Sequence, residues 1–231
     1  MQPFTTLTGV ACPLPSANID TDEIVPARFM STPRTAGYGG FLLHDRRRGT
    51  DGRPTGDHPL DHPHRAGANI IVARRNFGCG SSREAAVYAL MDFGIRCVIA
   101  PSFGEIFSGN SLSNGLLTAR VSEAQADALI SALEAGASEL VVDLAAQTIT
   151  AKGDTANGDS HLFPADPSKA EGGVDKKGGC PHFSFDIDPA AKLRLLNGWD
   201  DIQMTQSFAD RIASFQSDDA ERRPWAAPAR R

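Results

Sequence analysis

Cysteine is scarce in this chain of 231 residues: there are four, Cys12, Cys79, Cys97 and Cys180, and no two form a C-x-x-C pair. That spacing argues against a zinc site and a disulfide framework, and it fits a reducing cytoplasmic compartment. Long apolar runs are also missing. No stretch approaches the roughly 20 apolar residues that a membrane-spanning helix needs, and the first residues do not show a basic segment followed by an apolar one. Nor is there an excess of basic charge: the net charge is −5, and lysine and arginine are scattered apart from Arg46-Arg47-Arg48. Nucleic acid is therefore not an expected partner, and the arginine triplet reads as a solvated loop. What is present, 41% hydrophobic residues with ordinary charge content, suffices for one sizeable core.

The most informative stretch is Asn76-Phe77-Gly78-Cys79-Gly80-Ser81-Ser82-Arg83-Glu84. An apolar run, Ile70 to Ala73, precedes it, and a helix-forming run, Ala85 to Leu90, follows, so it reads as strand, glycine turn and first helical turn. Ser81 and Glu84 have the spacing of a capping box. Free amides at a helix start attract anions, and Arg83 adds a planar cation suited to a carboxylate. Known phosphate and nucleophile motifs do not match. The dinucleotide fingerprint needs a third glycine where Arg83 stands, and the P-loop needs a Gly-Lys pair after a longer loop. Neither serine has the flanking glycines of a nucleophile elbow.

Elsewhere, alternation from Phe4 to Val10 predicts a first strand, and Asn18 to Pro26 a polar turn entering an apolar piece. His44 to Arg65, rich in Pro, Gly, Asp and Arg, reads as a long surface loop. His58, His62 and His64 invite a metal reading. Pro59 and Pro63 break any helix that would align them, and no carboxylate or cysteine completes a ligand spacing, so no metal site is assigned. The helix from Arg83 should stop at Gly94, with a strand at Cys97–Ala100 completing a parallel crossover unit. Cys97 is expected to be inert core, and Cys79 is the likelier reactive thiol of the two, although a structural role is favoured for it. A short helix, a turn at Asn114-Gly115, another strand and a capped helix from Ser122 to about 136 follow. Residues 140–144 and 147–150 suggest a hairpin, and 183–187 a strand. Residues 152–179 read as an insertion. Met204, Phe208, Ile212 and Phe215 recur at helical spacing as a core-facing stripe, and a frayed tail carrying Trp225 closes the chain.

Gly80-Ser81-Ser82-Arg83-Glu84 resembles the active-site loop of the swivelling domain of the aconitase superfamily, and the longer string NFGCGSSRE resembles the 3-isopropylmalate dehydratase small-subunit family. Asn18-Ile19-Asp20-Thr21-Asp22-Glu23-Ile24-Val25-Pro26 is similar to a second family signature, and Arg34-Thr35-Ala36-Gly37-Tyr38-Gly39 and residues 193–202 are similar to others in the same order. The chain departs from the family pattern at Ala85, where histidine is usual, and at Ser113, where lysine is common.

The resemblance implies one α/β domain over residues 1–215, with loops at about 44–65 and 152–179 inserted and a tail at 216–231. Its mixed, partly barrel-like sheet would be flanked by helices. It further implies a hydro-lyase that interconverts hydroxy-dicarboxylic acids by dehydration and rehydration, in leucine biosynthesis. Ser81 would be the catalytic base, with Asp22 in the charge network. Arg83 and Arg34 would bind substrate carboxylates, Ser82 would support the loop, and Phe29 and Met30 would line an alkyl pocket, if they are not simply core. No metal is assigned to this chain. A 4Fe-4S cluster is expected on a separate large subunit, with which this chain would form a heterodimer. A related hydro-lyase subunit for citrate, homocitrate or a methyl-substituted malate, or a non-catalytic acid-binding subunit, are the alternatives.

Overall fold

The computed structural model describes residues 1–151 and 182–226. Its seam is β1 (Thr6–Leu14), whose two halves serve different neighbours. Ala11 to Leu14 pair in parallel with β2 (Ile70–Ala73), which is followed by β3 (Cys97–Ala100) and β4 (Leu117–Arg120), all parallel. Thr6 to Val10 pair antiparallel with β5 (Glu139–Asp143), which continues into β6 (Thr148–Ala151) and β7 (His182–Ser184). The result is a seven-stranded mixed sheet in the order β4-β3-β2-β1-β5-β6-β7, curled into a half-barrel.

Parallel strands covered on both faces read as continuous apolar runs, and every residue of β2 and β3 is buried. Their side chains divide by alternation. Ile71, Ala73, Val98 and Ala100 join one core cluster, together with Ile19, Ile24, Ala86 and Leu90. Ile70, Val72, Cys97 and Ile99 join the other, with Leu129, Leu133, Leu140 and Phe183. The crossover helices are α3 (Glu84–Phe93) and α4 (Glu105–Asn114). Helix α5 (Glu123–Glu134) follows β4 and opens with the capping box of Ser122 and Gln125. Gly94 ends α3 with φ 114°, at the predicted position. No helix among the described residues is long and apolar enough to cross a membrane.

Three features depart from the sequence-based expectations. The segment from His44 to Arg65 is not simply a surface loop. It contains α2 (His44–Arg47) and two 3-10 turns, and it buries Arg47, His58, Leu60 and Arg65. Arg47, the middle of the arginine triplet, is bound by Asp61 (2.6 Å) and covers the Phe93 ring. Arg65 donates to the carbonyls of Ala11 and Ala137 (2.8 Å each) and of Leu133. It thus closes the C-terminal end of α5 onto β1. Composition suggested solvent here because it counts charges, whereas a guanidinium with enough acceptors can be buried.

The C-terminal stripe also differs. Beyond α6 (Pro189–Asn197), α7 (Asp201–Gln206) and α8 (Ala209–Arg222) contain no buried residue. Met204 and Phe208 are half-buried, Ile212 is 39% exposed and Phe215 65% exposed. The stripe is moreover divided, Met204 lying on α7 and Ile212 and Phe215 on α8 with Phe208 at the N-cap between them; periodicity indicated helical structure but neither the break nor whose core the stripe meets. Helix α8 runs through position 215 as far as Arg222, and Trp225 beyond it is exposed. Finally, β1 extends to Leu14 while β7 is confined to His182–Ser184. The insertion expected at 152–179 lies outside the described residues.

Candidate functional site

The loops that leave the C-terminal ends of β1, β2 and β3 meet at one edge of the sheet, where open α/β sheets place their ligand crevices. Asp20 forms a parallel bridge with Cys79, and Phe77 with Phe103, so the glycine loop lies between its two neighbours. Backbone hydrogen bonds tie it on both sides. Gly78 donates to the Ile19 carbonyl (2.7 Å), Thr21 to that of Cys79 (2.9 Å), Phe77 to that of Ser102 (3.0 Å), and Gly104 to that of Phe77 (2.9 Å). Side chains add to this: the Asn76 amide donates to Asn18 Oδ1 (2.9 Å), and the Ser102 hydroxyl accepts from Asn76 N (2.8 Å).

Glycine is required at two points of the loop. Gly78 has φ 71°, and a Cβ there would come 2.2 Å from Phe107 Cγ. Gly80 has φ 94° and passes close to Asp20 and Thr21. Both adopt the left-handed region that a side chain disfavours.

The expected capping box at Ser81 is not formed. Helix α3 begins at Glu84 with Arg83 as its N-cap, and no side chain caps it. The left-handed Gly80 turns the chain so that Ser81 and Ser82 remain outside the helix, both exposed. The Glu84 carboxylate accepts instead from Asn114 Nδ2 (2.8 Å), tying α3 to the end of α4. No side chain thus caps the start of α3, the Ala86 amide donates back to the Arg83 carbonyl (3.2 Å), and the two serines immediately precede the positive end of the helix dipole, a setting that favours negative charge.

Asp22 lies on α1 (Thr21–Ile24), a short helix where a polar turn was expected. It is capped by Asp20, whose Oδ1 accepts from Glu23 N (2.7 Å). The Asp22 carboxylate is ion-paired with Arg83, and the neighbouring Thr21 hydroxyl donates to the Ser81 carbonyl (2.8 Å). Ser81, Ser82, Arg83 and Asp22 are thus brought together at one edge.

Arg34 is not part of that cluster. Its guanidinium pairs with Asp92 (2.9 Å) and lies over the Tyr88 ring at 4.0 Å, on the flank of α3. Asp92 lies about 12 Å along the helix axis from Glu84 at 1.5 Å per residue. Phe29 and Met30 divide. The Phe29 ring stacks on Phe41 at 4.2 Å and contacts His44, while Arg28 covers it, whereas Met30 is 44% exposed.

Among the described residues, Cys12 and Cys97 are buried and Cys79 is half-buried. Burial, with Asp20 nearby, raises the pKa of Cys79; burial pushes Cys12 up to about 12 and raises Cys97 as well. Among the described residues no group of three or more His, Cys, Asp or Glu side chains is arranged to hold a metal. His58 is occupied in capping, its Nδ1 accepting from Leu60 N (3.2 Å), and His62 stacks on His64.

Sequence reasoning did not assign roles to Thr21, Asn18, Asn76 or Ser102. The first three stand inside strings it had already singled out, but only the fold reveals which loop each one holds.

A parallel βαβ half joined through β1 to an antiparallel half, with a glycine-serine loop at the strand ends, defines the swivelling-domain class of the aconitases. The Aconitase C-terminal domain model matches residues 1–124. The chain belongs to the 3-isopropylmalate dehydratase small-subunit family. It is 42% identical to the small subunits of Paramagnetospirillum magneticum, Roseobacter denitrificans and a Jannaschia species, in each case over 97% of this chain and 100% of the relative. The crystal structure of a 3-isopropylmalate dehydratase from Methanocaldococcus jannaschii has the same fold. It is 20% identical, with a TM-score of 0.55, covering 91% of this chain and 99% of that one.

Proposed function

We propose that this chain is the small subunit of the hydro-lyase that interconverts 2-isopropylmalate and 3-isopropylmalate in leucine biosynthesis, with Ser81 as the base. The supporting observation is the cluster at the strand ends: an exposed Ser81 just before the start of α3, which no side chain caps, with Arg83 held by Asp22. Dehydration removes a proton beside a carboxylate and a hydroxyl from the adjacent carbon; rehydration returns water with the positions exchanged. Serine is an unlikely base in water, so its alkoxide needs a site that favours negative charge, which a helix start and a guanidinium supply. Arg83 and Arg34 bind the substrate carboxylates, Ser82 supports the loop, and Phe29 and Met30 face the alkyl group. Apolar contact of that kind discriminates by roughly 1–3 kcal/mol per methylene.

The reaction also needs a Lewis acid for the departing hydroxyl. In keeping with the family reading, we assign a 4Fe-4S centre to the large subunit with which this chain would form a heterodimer. The small-subunit names of the relatives support such pairing, and the uncovered Ile212 and Phe215 on α8 offer an apolar surface for it. The free thiols fit a reducing cytoplasm. Residues 1–215, possessing both core clusters, act as one swivelling domain in this reading.

The test is anaerobic reconstitution with the cluster-bearing large subunit, offering isopropylmalate, citrate, homocitrate and dimethylmalate in parallel. Strong preference for isopropylmalate is expected, with no turnover by the small chain alone. Ser81→Ala should abolish turnover without lowering thermal stability, since the side chain is exposed. Robust turnover by the isolated chain would overturn the two-subunit reading, and near-normal rates in Ser81→Ala would remove Ser81 as the base.

A further inference from the structure

Thr21 is 1% exposed, yet it is a polar residue in the middle of a motif whose aspartates attract attention first. The backbone bonds between its loop and the glycine loop end at Cys79: Gly78 N to the Ile19 carbonyl, and Thr21 N to the Cys79 carbonyl. Beyond Cys79 comes Gly80 at φ 94°, the least constrained residue type in the chain, followed by Ser81, which is exposed. The Thr21 hydroxyl spans that gap. Its Oγ1 donates to the Ser81 carbonyl at 2.8 Å, extending the clamp by two residues through a side chain.

We propose that Thr21 is a positioning residue for Ser81: by holding the Ser81 carbonyl it sets the orientation of the 81–82 peptide and hence the direction of the Ser81 hydroxyl. The inference rests on the proposed role of Ser81 as base. The donor is buried and the bond part-buried, so water competes for it less than for a bond at the surface. The same element carries Asp22, paired with Arg83, so α1 grips the glycine loop at both the serine and the arginine. Its own position is fixed by Asp20 capping Glu23 N and by burial of Ile24. Gly80 supplies the φ of 94° that the turn into Ser81 requires; a Cβ there would meet Thr21 Oγ1 only at ordinary contact distance, 3.5 Å, so it is the backbone conformation that calls for glycine.

Thr21→Val keeps the side chain's shape and removes the donor; Thr21→Ser keeps the donor and removes the methyl group. Each variant is assembled with the large subunit, and rates are taken per mole of folded complex. Misplacement of a reacting group by about 1 Å can cost a hundredfold in rate. We therefore expect Thr21→Val to lower kcat by about 10- to 100-fold with KM within about twofold, and Thr21→Ser to restore most of it. The primary isotope effect, measured with substrate deuterated at the carbon that loses its proton, should rise in Thr21→Val, because proton removal becomes slower. A merely structural contact would change the yield of folded complex and leave that isotope effect alone. Thr21→Ala is carried in parallel should the valine variant not fold. Normal kcat and isotope effect in folded Thr21→Val or Thr21→Ala would overturn the proposal, as would a Thr21→Ser variant as impaired as Thr21→Val. Ser81→Ala separates the two readings. If it is inactive while Thr21→Val is normal, only the positioning role fails; if it is active, the assignment of the base fails.

Discussion

The carboxylate of Asp22 is ion-paired with the guanidinium of Arg83, across 61 residues of sequence and between the loop after β1 and the start of α3. Each partner has a role in the proposed reaction, and each limits the other: Asp22 orients Arg83 while offsetting part of its charge. Because the Asp22 side chain is 49% exposed, the pair contributes little to folding, on the order of 1 kcal/mol or less. Asp22→Asn should therefore leave the melting temperature almost unchanged and lower kcat by about tenfold or more, as Arg83 loses its orientation. Parallel thermal denaturation and steady-state kinetics check this. A large loss of stability with normal kcat would make the pair structural.

Arg34 is held on the flank of α3 by Asp92 and the Tyr88 ring rather than beside Ser81. If Arg34 binds a substrate carboxylate, Asp92 competes with the substrate for it. Asp92→Asn should then lower KM, whereas Arg34→Ala should raise KM by about tenfold or more, the loss of a charge-assisted carboxylate contact. Arg34→Lys should resemble the alanine variant more than the wild type, since lysine neither binds in a bidentate manner nor stacks in the same way. Unchanged KM in both Arg34 variants would take this residue out of the substrate site.

His58 supplies a pH prediction independent of catalysis. Burial lowers its pKa from the ordinary 6.5 to about 4, with Asp61 opposing and Arg47, Arg46 and His62 adding to the effect. Above the unfolded value the histidine is neutral in both states. As pH falls below it, the unfolded chain takes up a proton that the folded chain resists, so stability declines until the folded group also titrates. Stability should therefore drop between pH 6.5 and about 4. His58→Asn keeps an acceptor for Leu60 N and has no proton to gain, so its denaturant midpoint should vary less across that window. Identical pH profiles for the two proteins would contradict the assignment.

Gly78 tests the packing beneath the loop. At φ 71°, with Phe107 where a Cβ would go, Gly78→Ala introduces both backbone strain and overlap with a buried ring. A loss of about 2–4 kcal/mol is expected in chemical denaturation. Gly37→Ala is the control, because it has a positive φ but nothing within 4 Å of the added Cβ, and it should cost less.

Much of this was legible in the sequence. The apolar runs 70–73 and 97–100 read as strands, which they are, and Gly94 marked the end of the helix between them; that both faces are covered came from the structure. The family strings around Asp22 and Ser81 identified the class of protein. Other features were misread for definable reasons. The S-x-x-E spacing at Ser81 satisfies a local rule for capping, but the left-handed Gly80 and the pull of Asn114 on Glu84 prevail over it. The 44–65 segment looked solvated because the acceptors that bury Arg47 and Arg65 come from Asp61 and from carbonyls far away in the chain.

By itself the sequence determined the strand and helix runs, the turn glycines and the motifs that define the family, because each depends on the order of neighbouring side chains. Only the tertiary structure decided which residues share the site. It joined Asp22 to Arg83 and Thr21 to Ser81, set Arg34 against Asp92, and left the α8 stripe uncovered. The reason is physical: each of these depends on how segments distant in the chain meet, the first two on where β1 and β2 end beside one another, and such meetings have no local signal in the sequence.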